Sequence, residues 1–164
     1  MAETPLPPAA RRLVSTIVIG GLLLTVAVGI IARITLEARG VSVVSWSRGI
    51  QLMIPLAIFF EIPFVVLAIY VHRKLKSALA ENPEQLSMRL HMYVGAFLGL
   101  FVYQGYSLFG LTTYSGPGGF ANAVILMLGM WMITVPYMLA LGGGASVVGG
   151  FFGWLLWRKR TGQL

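Results

Sequence analysis

The sequence predicts an all-α integral membrane protein, a four-transmembrane-helix bundle with both ends in the cytoplasm, and three observations carry that expectation. Hydrophobic residues make up 57% of the 164 and charged residues only 10%, whereas a soluble domain carries about 25% charged residues. The apolar residues gather in four runs, Leu13 to Ala32, Ile50 to Val71, Met92 to Thr113 and Phe120 to Trp157, each near or beyond the ~20 residues a helix needs to cross a bilayer core. The 12 basic residues flank these runs, as they do where they orient helices and meet anionic headgroups.

Residues 1–12 are expected to form a flexible tail, since Pro5, Pro7 and Pro8 oppose a regular helix and little apolar surface is available to pack. One transmembrane domain then fills residues 13–164. The first span, residues 13–38, has no small-residue cleavage pattern after it and reads as a retained helix rather than a signal peptide. Arg33 and Glu37 form an i,i+4 pair at its end, and Gly40 is a suitable terminator. Trp46 is a headgroup-level anchor before the second span, residues 48–72, which Ser47 caps and in which Pro55 and Pro63 predict kinks.

Asn82-Pro83-Glu84-Gln85 is a helix-start signal, with a capping Asn and Pro at the first helical position. It makes the second and third helices a hairpin that projects from the membrane. The third span, residues 91–113, ends in the turn Ser115-Gly116-Pro117-Gly118-Gly119. The last run, residues 120–157, would be about 57 Å long as one helix against a core of about 30 Å. A break near residues 136–144 is therefore expected, at Pro136 and Gly142-Gly143-Gly144.

Charge counting sets the number of crossings. With four, nine basic residues (Arg11, Arg12, Arg73, Lys74, Lys76, Arg89, Arg158, Lys159 and Arg160) share one side against Arg33, Arg39 and Arg48 on the other. A fifth crossing would make the counts six and six. The positive-inside rule favours four crossings in a bacterial inner membrane.

Composition also excludes. Cysteine is absent, so disulfides, thiolate metal sites and cysteine nucleophiles are ruled out. Aspartate is absent as well, and the five acids and two histidines supply no nucleophile–base set, phosphate loop or zinc spacing. The chain is not expected to be an enzyme, to hold a cofactor or metal, or to bind nucleic acid. Met127, Met130, Met132 and Met138 read as adaptable packing residues rather than a copper site.

Glu61 is the most informative side chain, because it lies near the middle of its span, where ionised carboxylates are costly and usually functional. Tyr103 and Gln104 of the third span, with Thr134 and Tyr137 of the last, fall at comparable depth and could complete a proton, cation or substrate site. The plainer reading is a Glu that hydrogen-bonds a neighbouring helix. His72 and His91 stand at matched depth on either side of the hairpin tip, where a pair could ligate haem b, with Arg73 and Arg89 on its propionates, or border a quinone. An interfacial role beside Arg and Lys is the simpler account.

Small residues recur at helical spacing, Gly95, Gly99 and Gly110 with Tyr103 and Tyr106 on the third span, and Gly142, Ser146, Gly150 beside Ala145, Gly149, Gly153 on the last. Such ribbons let helices approach closely. Two functional classes follow. The one that asks least is a non-catalytic accessory, assembly or oligomerising subunit, whose partners are the bilayer, anionic lipid headgroups and other membrane subunits or further copies of itself. The alternative is a small proton- or cation-coupled transporter or channel centred on Glu61, with a haem- or quinone-binding redox subunit a distant third.

Overall fold

The computed structural model describes residues 6–38, 46–81, 85–112 and 131–162, all but a few of them helical. Its helices are α1 (Pro8–Ala38), α2 (Trp46–Glu81), α3 (Leu86–Thr112) and α4 (Trp131–Arg160). Three stretches within them are long and apolar enough to cross a membrane, Pro8–Thr35, Leu86–Gly110 and Met132–Arg160. The outside is correspondingly apolar. Ile19, Leu23, Ile34, Ile58, Val102, Met132 and Val147 are all exposed, a surface suited to lipid tails rather than to water.

The chain becomes helical earlier than its prolines suggest. Pro8 occupies the first helical position, where its fixed φ suits the helix and its missing N–H costs nothing. The Arg11 amide donates to the Pro7 carbonyl at 3.1 Å, and its Nε donates to the Leu6 carbonyl at 2.7 Å. Leu6 and Ala10 are buried. Within residues 1–12, positions 8–12 therefore belong to α1 rather than to a tail. Further along α1, Arg33 and Glu37 form the expected pair at 2.8 Å.

α2 runs helically through Pro55 and Pro63 for 36 residues, about 54 Å. Its basic end, with Lys74 and Lys76, thus extends well beyond the apolar stretch that precedes it. The Gly40 stop, the Asn82–Glu84 cap and the turn at residues 115–119 lie outside the described residues, as do Met127, Met130 and the rest of 113–130.

α4 corrects an expectation. It is helical from Trp131 to Arg160 without interruption, so the break predicted near residues 136–144 does not form. Pro and Gly are tolerated inside membrane helices where a neighbouring helix supports them, and here α3 runs alongside. The helix ends as its sequence dictates. Arg158, Lys159 and Arg160 oppose the negative end of the macrodipole, and Gly162, with φ of 68°, adopts the left-handed closing conformation. The Thr161 amide donates to the Trp157 carbonyl at 3.0 Å.

α1, α2 and α3 each pack against the other two, whereas α4 lies along α3, touches α2 lightly and, among the described residues, does not meet α1. The core of the first three is apolar and aromatic. Phe64 and Phe97 meet edge to face at 6.1 Å between ring centroids, Phe97 and Phe101 at 5.7 Å, and Ile17, Val71, Leu75 and Leu108 are fully enclosed.

The α3–α4 contact is of another kind. A methyl built on Gly95 would strike the Gly149 carbonyl, one on Gly99 the Ala145 carbonyl, and one on Gly153 the His91 carbonyl. The backbones are in direct antiparallel contact. With each glycine Cα aimed at a carbonyl oxygen, weak Cα–H···O bonds add to the dispersion that holds membrane helices together.

Candidate functional site

Three polar side chains are buried among the described residues, one from each helix of the core: Thr25 at 2% exposure, Glu61 at 9% and Gln104 at 1%. Gly21 makes the burial of Glu61 possible. Its bare Cα faces Glu61 Oε2 and the ring of Phe64, so any side chain there would collide with both. One turn on, the Thr25 hydroxyl donates to the Gly21 carbonyl at 3.2 Å, which places a second polar group beside the same stretch of α1. Gln104 points to the α2–α4 side of α3. Its Nε2 lies 3.6 Å from where a Cβ on Gly142 would be, and Pro63 Cβ lies 3.9 Å from the same point.

Glu61 and Gln104 share one property. Both carboxyl oxygens of Glu61 and both amide atoms of Gln104 are buried without a hydrogen-bond partner among the described residues. An unpaired buried polar group costs roughly 1–3 kcal/mol, while an interhelical hydrogen bond in a membrane returns only about 0.6 kcal/mol on average.

The remaining residues singled out from the sequence do not gather here. Tyr137 is 63% exposed on the outside of α4, and Thr134, three residues earlier, is half-buried. Tyr103 instead lines a shallow groove of about 590 Å³ between α3 and α4, together with Gly99, Val148 and Leu156. Equal depth placed these residues together in the sequence, but depth does not fix the direction in which a helix presents a side chain. Thr25 and Gly21 were missed for the same reason. A threonine in an apolar run gives no sign of being buried, and only the Gly20-Gly21 pair hints at a close approach.

The two histidines are likewise apart. His91 lines the α3–α4 groove, to which α2 contributes no residue, and its Nδ1 lies 2.8 Å from the Ser87 carbonyl. His72 is exposed on α2. Neither of the two grooves is lined by both histidines. Among the described residues, no three acids or histidines come together as a metal site. No protein family, curated protein or solved structure matches this chain.

A larger groove opens between α2 and α4, floored by α3, with a volume of about 690 Å³. Gly142, Ser146 and Gly150 line it, while Ala145, Gly149 and Gly153 line the α3–α4 groove.

Proposed function

We propose that the chain is a four-span protein of a bacterial inner membrane in which Glu61, one of three buried polar side chains with Gln104 and Thr25, is a proton- or cation-binding site of a small transporter or channel. The observation that carries this reading is that the buried Glu61 and Gln104 side chains have no partner among the described residues. Residues 54–71 of α2, with Glu61 as their one charge, supply the fourth crossing, and the nine-to-three basic asymmetry puts both termini in the cytoplasm. The tight enclosure of Glu61 by Gly21 and Phe64 favours a proton or a bare cation over a larger solute.

The test is voltage-driven proton and alkali-cation flux in liposomes carrying the full chain. Wild type is expected to conduct above empty liposomes. Glu61→Gln, which keeps the shape and removes the titratable group, should abolish the flux with helicity and elution volume unchanged. Glu61→Asp should weaken it, the carboxylate being drawn back by about one methylene. Full flux in Glu61→Gln would make the residue a structural one.

A second reading, the non-catalytic accessory or assembly subunit, is favoured by the position of α4 outside the core, which leaves the α2–α4 groove open to another membrane component. Stoichiometric co-purification of a second membrane protein in mild detergent, together with no flux, would favour it.

A further inference from the structure

The α2–α4 groove has a direction. It runs along α4 from Leu139 to Trp154, about 22 Å of helix, and along α2 from Pro63 to Tyr70. That length exceeds one leaflet's share of a hydrocarbon core about 30 Å thick. The walls are apolar almost throughout, Ser146 being the one hydroxyl-bearing aliphatic residue among them. The polar groups collect at one end, where Tyr70, Tyr93 and Trp154 line the groove and the Tyr70 and Tyr93 rings meet edge to face at 6.2 Å.

Two cations sit on those same aromatic residues. Lys74 Nζ lies 5.9 Å from the Tyr70 ring centroid, and the Arg158 guanidinium 4.9 Å from that of Trp154, both within cation–π range. Tyr70 and Lys74 stand on α2, Trp154 and Arg158 on α4. The mouth is thus flanked from both walls by an aromatic residue carrying a cation, while the interior holds no charge. This pattern complements an amphiphile with an extended apolar chain and an anionic head.

We propose that the groove is the seat of an anionic phospholipid, one acyl chain lying between α2 and α4 over α3 and the phosphate-bearing head resting between Lys74 and Arg158. The lipid fills the gap left where α4 stands away from the core and so joins α2 to α4. The site is separate from Glu61, which does not line the groove, and does not depend on the transport reading.

The full chain, purified in mild detergent and exchanged into equal amounts of phosphatidylglycerol and phosphatidylcholine with identical acyl chains, can be examined by native mass spectrometry for retained lipid. Each basic residue near a membrane surface contributes about a fivefold preference for an anionic lipid, so two predict a preference on the order of twentyfold. Lys74→Gln with Arg158→Gln should bring it close to parity while leaving some lipid bound. Gly143→Leu should remove retention of both lipids, because Gly143 lines the groove and nothing lies within 4 Å of a Cβ placed there. Val147→Trp, from an exposed position in the same groove, tests occlusion independently if Gly143→Leu does not fold.

Equal retention of the two lipids by wild type would overturn the proposal. So would undiminished retention by a folded groove-filling variant. A photocrosslinker at position 147 that captures a protein chain instead of lipid would assign the groove to a partner helix and overturn it as well.

Discussion

At the scale of single residues, the space beside Glu61 is set by the absence of a side chain on α1. A methyl on Gly21 would lie 2.6 Å from Phe64 Cδ2 and closer still to Glu61 Oε2, so Gly21→Ala must displace both. Overpacking of this kind costs roughly 1–3 kcal/mol. Gly143→Ala, with open space around the new methyl, should instead be neutral or gain up to about 1 kcal/mol from the helix preference of Ala over Gly. Thermal unfolding in detergent should separate the two, and equal midpoints would show that α1 does not press on Glu61. Glu61 and Gln104 were legible in the sequence because counting from a span's ends gives depth, and polar groups stand out at depth. Their companions were not. Tyr103 and Tyr137 have the same depth but different azimuths, and azimuth is settled by which faces pack, which one sequence does not display when every face is apolar.

At the scale of elements, the α3–α4 seam is the firmest part of the molecule and the one with least tolerance. Gly95, Gly99, Gly149 and Gly153 each face backbone across the seam, and backbone cannot rotate away as a side chain can. Gly95→Ala and Gly149→Ala should therefore each loosen the hairpin by more than Gly144→Ala, whose new methyl meets nothing within 4 Å. Proteolysis or unfolding in detergent should rank them so. The small-residue ribbons were visible as spacing, and the structure gives the two on α4 different neighbours: Gly149 and Gly153 meet α3 backbone, while Gly142 meets the Leu100 and Gln104 side chains and, with Ser146 and Gly150, edges the α2–α4 groove. The break expected at Pro136 to Gly144 does not form, since intrinsic propensity, measured in water, is a weak guide for a helix in a membrane. The histidines carry a prediction at this scale as well. With His91 in the α3–α4 groove and His72 exposed on α2, the purified protein should be colourless. A haem spectrum lost in both His72→Ala and His91→Ala would show that α2 and α3 bring them together after all.

At the scale of the whole molecule, composition decides the solvent and charge decides the orientation, but neither decides the arrangement. Lipid tails are as apolar as the helices, so no hydrophobic force drives α4 into the core. Its position on the far side of α3 follows from glycines that fit one another, a local cause with a global effect. Orientation has the opposite character, since it is read from the basic residues that flank the apolar runs. The proposed four crossings, with nine basic residues on one side against three on the other, predict residues 42 and 115 outside and residues 80 and 163 inside. The chain contains no cysteine, so Ser42→Cys, Ser115→Cys, Ala80→Cys and Gln163→Cys each introduce a single reporter without further changes. In intact cells an impermeant thiol reagent should label the first two, and it should reach the last two only after permeabilisation. Labelling of position 163 from outside would move Arg158, Lys159 and Arg160 across the membrane, equalise the basic counts and replace four crossings with an odd number. The same result would place Lys74 and Arg158 at opposite membrane faces, in conflict with the groove mouth at which both now stand, so this one measurement bears on the topology and the lipid site together.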